Sequence, residues 1–179
     1  MDEIGELKRR MREVRPAGWD ALPDIGLYMD QLISYMPRQL IRYEEGEALT
    51  PAMVNNYIKD GMLPRAEGKR YSRVHLGYLT AICALKQVLS VKDVNRLFHM
   101  QGAGRDAREL YDFFCGELDR AMGRTAASLD ENVEEGDLAA LALSLALRSY
   151  ADKLAALRVL DILQAREEEP ESPKEKPKK

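Results

Sequence analysis

The chain has few of the side chains that carry most metal and nucleophilic chemistry. Only two cysteines and two histidines occur among its 179 residues. His75 and His99 are far apart, and neither has a cysteine or carboxylate at ligand spacing, so we expect no metal site and no bound cofactor. Cys83 and Cys115 lie in apolar stretches, which predicts small buried side chains in a reducing compartment. Since no motif pairs a nucleophile with a base, we expect a protein that is not an enzyme.

Aromatic residues and long apolar runs are also scarce. Aromatic side chains make up 7% of the chain, and leucine and alanine fill its second half, which favours helices over a β-sandwich. The most apolar run, residues 138–147, has about half the length that a membrane span needs. The segment 1–10 lacks the apolar core of a signal peptide. We therefore expect a cytoplasmic protein with no membrane partner.

Charge is present but unevenly distributed. The formal net charge is −3, yet residues 53–92 carry seven cationic and two acidic side chains, a net +5 that leaves −8 for the remainder. The seven cations are Lys59, Arg65, Lys69, Arg70, Arg73, Lys86 and Lys92. A basic region on an acidic body fits a local anionic partner, and a solvated positive face is the alternative.

Apolar periodicity and helix-breaking residues predict a mostly α fold in four segments. These are a charged N-terminal segment 1–21, a winged helix-turn-helix-like domain 22–100, a C-terminal helical region 101–166 and a disordered tail 167–179. The predicted helices cover about residues 2–15, 24–40, 51–60, 73–88, 91–98, 105–123 and 136–166. The last of these is apolar nearly all round, which is typical of a helix buried in a bundle or across a subunit interface.

Local signals define the short helix that begins at Pro51. Thr50 supplies a hydroxyl N-cap, and proline is tolerated at the first helical position because no donor is lost there. Gly61 predicts its C-terminal end, and Pro64 prevents an early restart. Ser72 is the predicted N-cap of the following helix.

The two faces of this short helix differ in chemistry. At about 100° per residue, Val54, Tyr57 and Ile58 gather on one side. The opposite side presents Asn55, Asn56 and Lys59. Asparagine can pair bidentately with adenine and lysine can reach guanine or a phosphate, so this side is suited to reading a DNA major groove.

A basic loop follows the helix. Arg65, Lys69 and Arg70 lie around Gly68, and Arg73 opens the next helix. Cations at these positions would contact phosphates if the loop were a wing beside the groove. We therefore take Asn55, Asn56 and Lys59 as candidates for base contacts, and these four cations as candidates for phosphate contacts.

These segments carry a family resemblance. Residues 49–64, from Leu49-Thr-Pro through the Asn-Asn-Tyr helix, together with Lys69-Arg-Tyr-Ser72 and residues 85–94, resemble the DNA-binding head of mercury-resistance-type (MerR-like) regulators. With Leu22-Pro-Asp-Ile-Gly-Leu-Tyr-Met-Asp-Gln31 upstream, the region 22–98 resembles the bacterial domain-of-unknown-function family 1836. The first resemblance implies a winged helix-turn-helix, and the second names a family without an established biochemical role.

The pattern therefore predicts a transcriptional regulator that binds double-stranded DNA and forms a homodimer through its C-terminal helices. An alternative is a protein-interaction module that keeps the winged-helix fold without binding DNA. Its motivation is the acidic net charge, the acidic connector at 44–47, and asparagine where MerR-like heads carry an arginine. A small-molecule pocket among the C-terminal helices is compatible with the first reading, although nothing in the sequence selects a ligand.

Overall fold

The computed structural model describes residues 3–41, 48–102 and 104–168. Two isolated β-bridges are the only β pairing within these ranges, which confirms the mostly α prediction. Short 3-10 segments cover Trp19–Ala21, Met36–Gln39 and Glu135–Asp137. The α-helices are α1 (Glu3–Glu13), α2 (Met29–Tyr35), α3 (Pro51–Lys59), α4 (Arg73–Leu85), α5 (Val91–Gly102), α6 (Ala107–Ala127) and α7 (Leu138–Glu168).

Several helix bounds differ from the sequence prediction, among them those of α2 and α5. The helix predicted over 24–40 begins only at Met29, and Pro37 lies in the 3-10 segment that follows it. α5 runs past Phe98 through Gly102, where a break was predicted, and the positive φ of 81° falls on Gly104. The predicted connector at 44–47 and residues 169–179 of the predicted tail lie outside the described residues.

The chain divides into two compact units, residues 1–138 and 139–179. In the first, α6 packs against α1, α4 and α5. The side chains of Leu32, Met36, Leu76, Leu79 and Ile82 are almost fully enclosed between the helices. Each such side chain stabilises the fold by about 1.5–3 kcal/mol relative to an exposed position, so this cluster is the main apolar core.

A close approach of α4 and α6 brings the N-terminal segment into the same core. Trp19 and Tyr111 lie with ring centroids 5.9 Å apart, and the Tyr111 hydroxyl donates a 2.7 Å hydrogen bond to the Ala17 carbonyl. A Cβ on Gly77 would lie 3.2 Å from ring atoms of both aromatic residues. Glycine at this position of α4 therefore allows the three segments to pack.

The second unit is dominated by α7. Along it, Leu143, Leu147, Tyr150 and Leu154 are exposed by 61%, 57%, 61% and 49%. Within the described ranges, no helix combines the length and apolar character that a bilayer span requires. The surface of α7 is thus unusually rich in exposed leucine.

The two cysteines are less enclosed than predicted. Within the residues that the structure describes, Cys83 and Cys115 form no disulfide, and both are half-buried. Burial raises the pKa of the Cys115 thiol above its ordinary value. A thiol held protonated in this way is a weak nucleophile at neutral pH.

Candidate nucleic-acid interface

The amphipathic pattern of α3 is realised in the structure. The Thr50 hydroxyl accepts a 3.2 Å hydrogen bond from the Met53 amide, and Gly61 ends the helix with φ 74°. Val54 and Tyr57 point inward, with exposed fractions of 0% and 3%. α3 is a helix of nine residues, and it is attached to the core through one of its faces.

The opposite face of α3 is open to solvent. Asn55, Asn56 and Lys59 are all exposed. Among the described residues, none of these three side chains has a hydrogen-bond or ion-pair partner. Two amides and an ammonium group consequently present donors and acceptors on one side of an anchored helix.

Contacts from Lys86, directly after α4, from Asn95 of α5 and from the Met62 backbone hold the C-terminal end of α3. The Lys86 ammonium lies 5.6 Å from the centroid of the Tyr57 ring, and the Asn95 side-chain amide donates a 3.2 Å bond to the Asp60 carbonyl. The Met62 amide donates a 2.8 Å bond to the Tyr57 carbonyl. These contacts hold the C-terminal end of α3 in a fixed position.

The basic loop is a small hairpin. Glu67 and Arg70 exchange backbone hydrogen bonds of 3.2 and 2.9 Å around Gly68 and Lys69, whose φ angles are 55° and 64°. Two consecutive positive φ angles identify a two-residue type I′ turn, the turn that suits the right-handed twist of a hairpin. Its base is tied to the chain upstream of α2 by reciprocal bonds of 2.9 and 2.8 Å between Leu27 and Tyr71.

Two of the four predicted phosphate contacts already have partners within the chain. The Arg70 guanidinium donates to the Gly26 carbonyl at 3.2 Å and the Tyr28 hydroxyl at 3.0 Å, and lies 4.7 Å from the centroid of the Tyr28 ring. A Cβ on Gly26 would come within 2.9 Å of the Arg70 Cβ, so the pairing needs glycine there. Arg73 pairs with Asp24 at 3.5 Å.

The remaining two cations differ from Arg70 and Arg73. Arg65 and Lys69 are exposed, and neither has a side-chain partner among the residues that the structure describes. An anion that binds at either group would displace no ion pair that the structure describes. The hairpin therefore combines two available cations with one, Arg70, whose contacts fix the loop against residues 26–28.

His75 joins the two ends of the basic hairpin, a role that the sequence analysis did not predict. Its buried ring accepts a 3.0 Å bond from the Ser72 amide at Nδ1, and Nε2 lies 3.2 Å from the Pro64 carbonyl, to which it donates in this tautomer. The ring also meets Tyr71 edge-on at 5.3 Å. Burial lowers the pKa of His75, which favours this neutral form. The signal in the sequence is its place three residues after the N-cap Ser72, where Glu or Gln usually closes a capping box.

Among the residues that the structure describes, no group of three or more histidine, cysteine or acidic side chains converges on a point where a metal ion could bind. His99 is exposed on α5, well away in sequence from the buried His75.

Comparison with protein families gave one match. A family model described as a domain of unknown function (DUF1836) matches residues 17–114, more than half of the chain. No protein of curated function and no solved structure matched the chain. The matched range runs from the segment before α2 into the first two turns of α6, so it contains the exposed face of α3 and the whole basic hairpin.

Proposed function

The chain belongs to the DUF1836 family, and from this premise we propose that it is a transcriptional regulator that binds double-stranded DNA through a MerR-like winged helix-turn-helix head. The observation that carries the proposal is the arrangement of α3, whose apolar face is buried while Asn55, Asn56 and Lys59 are exposed and unpartnered among the described residues. A helix anchored in this way offers hydrogen-bonding side chains to base edges in a major groove.

The basic hairpin supplies the second half of the interface. Arg65 and Lys69 would neutralise phosphates, which determines affinity without reading sequence. Arg70 and Arg73 also carry donors beyond those used within the chain, because a guanidinium has five N–H groups. We propose that these two residues contact phosphates while their contacts to Tyr28 and Asp24 hold the loop in place.

A homodimer would match this head to a two-fold symmetric DNA site. We propose that α7 forms the dimer contact. Its exposed residues Leu143, Leu147, Tyr150 and Leu154 follow each other at intervals of four, three and four, the spacing of a coiled-coil seam. An apolar stripe of this length on a single helix is stabilised when a second copy covers it.

The test is selection of bound sequences from a pool of random DNA duplexes, with affinity measured over a range of salt concentrations. We expect an enriched motif and an affinity that falls steeply with salt. The double variant Arg65→Ala/Lys69→Ala should bind every sequence more weakly and lower the log–log salt slope by about 2, since each phosphate contact contributes about 0.9. Asn56→Ala should instead relax the sequence preference with little change in slope.

Lys92→Ala is the matched control, because Lys92 is an exposed lysine on α5 outside α3 and the hairpin. It should leave both slope and motif unchanged. Equal effects of Lys92→Ala and of the double variant would mean that DNA is attracted by general positive charge and not by this hairpin. If Asn56→Ala binds as tightly as the wild type and enriches the same motif, Asn56 of α3 does not read the base sequence.

The alternative is a protein-interaction module that retains the fold without binding DNA. It is favoured by the acidic net charge of −3 and by the internal partners that Arg70 and Arg73 already have. Under this alternative the random pool yields no motif, and deletion of residues 128–179 abolishes capture of a protein partner. Retention of an enriched DNA motif would exclude it.

A further inference from the structure

A cavity of about 310 Å³ opens between α4, α5 and α6. Its walls are almost entirely apolar and include two small residues of α4, Gly77 and Ala81. A volume of this size lies at the lower end of the range that holds small-molecule ligands in proteins, about 300–1,000 Å³.

The cavity collects the aromatic side chains in which the chain is otherwise poor. Five aromatic residues line it, among them all three phenylalanines of the sequence. Tyr78 and Phe98 meet edge-on with centroids 5.7 Å apart, and Tyr111 and Phe114 lie 6.2 Å apart. Phe113 completes the set and is 38% exposed. Ring faces and edges that converge on one space favour a flat aromatic guest.

The acidic side chain on the cavity wall is paired with a cationic side chain. Glu117 is the one acidic lining residue, and its carboxylate accepts a hydrogen bond from the Arg120 guanidinium one turn further along α6. Arg105 lies over the Phe113 ring at 4.7 Å from its centroid. A charged ligand would lose hydration in this space and find no uncompensated charge on the lining, so a neutral ligand is favoured.

We propose that this cavity is a binding site for a neutral, planar aromatic molecule of about two or three rings. A dry cavity of about 150 Å³ is sufficient for benzene, and this one has about twice that volume. The proposal does not depend on DNA binding, because the cavity is formed by α4, α5 and α6 without α3 or the basic hairpin.

The experiment is a fluorescence titration of the full chain with naphthalene and with N-phenyl-1-naphthylamine, in the absence of DNA. Trp19 is the chain's only tryptophan and lies 5.9 Å from Tyr111 of the cavity wall, so a molecule in the cavity alters its emission or accepts energy from it. We expect saturable binding with one site per chain.

A pair of variants on α6 locates the site. Ala107→Phe adds a ring at a half-buried lining position, whereas Ala121→Phe adds the same ring at an exposed position outside the lining. We expect Ala107→Phe to weaken binding by about tenfold or more and Ala121→Phe to bind like the wild type. Phe98→Leu keeps an apolar wall but removes one ring, and should also weaken binding.

Thermal unfolding of each variant establishes that it is folded, and Phe98→Leu keeps the proposal testable if Ala107→Phe is not. Equal affinity of all three variants and the wild type would place the probes elsewhere, for example on the exposed leucines of α7, and would overturn the proposal. Failure of both probes to bind the folded wild type would overturn it as well.

Discussion

His75 is a buried titratable side chain at the root of the basic hairpin. It bonds to the Ser72 amide on one side and lies against the Pro64 carbonyl on the other, and burial lowers its pKa below the ordinary value of 6.5. Above pH 6.5 the ring is neutral in both the folded and the unfolded chain. As the pH falls, the unfolded chain binds the proton first, so folding stability decreases until the pH has passed the lowered pKa.

We therefore expect the free energy of unfolding to fall between pH 6.5 and the pKa of folded His75, by about 1.4 kcal/mol for each unit by which folding lowers that pKa. His75→Gln can still accept the Ser72 amide as a capping-box residue but cannot titrate, and should lose this part of the pH dependence. His99→Gln, at an exposed position, should keep the wild-type profile. Urea unfolding of the wild type and both variants, monitored by circular dichroism at a series of pH values, measures this free energy. If the free energy of unfolding of His75→Gln depended on pH as that of the wild type does, the prediction would be wrong.

Single-residue predictions from the sequence succeeded where periodicity controls exposure and were incomplete where distant segments meet. Asn55, Asn56 and Lys59 are exposed as the helical wheel predicts, because a short helix with one apolar side has to bury that side. The pairing of Arg70 with Tyr28 joins residues 42 positions apart in the chain and has no periodic signal. Its only trace in the sequence is Gly26, which leaves room for the Arg70 side chain.

At the scale of elements, α3 depends on its cap. Isolated helices shorter than about 12–15 residues are marginal in water, and α3 has nine residues. We expect Thr50→Ala to lower the free energy of unfolding by about 1 kcal/mol, because the Met53 amide loses its partner. Thr50→Ser retains the hydroxyl and should differ from the wild type by less than half of that. Denaturant unfolding of the three proteins is the measurement, and equal stability of the alanine and serine variants would show that the cap contributes nothing.

Element prediction was most accurate where capping residues mark the start of a helix. Thr50 and Ser90 both accept a hydrogen bond from the backbone amide three residues later, as their sequence positions predict. The helix predicted from residue 24 starts five residues later because the backbone of Leu27 is bonded to Tyr71 in an extended conformation. That pairing spans 44 residues, so apolar spacing within the segment gives no indication of it.

Among the helices that the structure describes, α7 has the longest exposed apolar surface, and the proposed dimer predicts that a second copy covers it. Leu147→Glu/Leu154→Glu should raise the dimer dissociation constant by more than about a hundredfold, since each buried leucine contributes about 1.5–3 kcal/mol. Val159→Glu is the matched control, because Val159 is 55% exposed but lies off the four-three-four stripe. Sedimentation equilibrium measures the association, and a monomeric wild type or equal effects of the two changes would contradict the prediction.

The aromatic cavity is the feature of the whole molecule that the sequence analysis missed. The sequence allows a small-molecule pocket among the C-terminal helices, but its lining combines α4 and α5 of the head with α6. Three of its rings come from distant positions in the chain: 20 residues separate Tyr78 from Phe98, and 15 separate Phe98 from Phe113. Each resembles an ordinary core residue on its own helix. Only the packing of three helices brings their rings together.

Helix α4 contributes both to the support of the basic hairpin and to the cavity wall. Its first turn carries His75, which bonds to both ends of the basic hairpin, and the next turns carry Tyr78 and Ala81 of the cavity wall. Thermodynamic linkage makes any coupling through such a helix reciprocal. If an aromatic guest changes the affinity of the proposed interface for DNA by some factor, DNA must change the affinity for the guest by the same factor. The extent to which either site is filled would then indicate the affinity of the other site for its ligand.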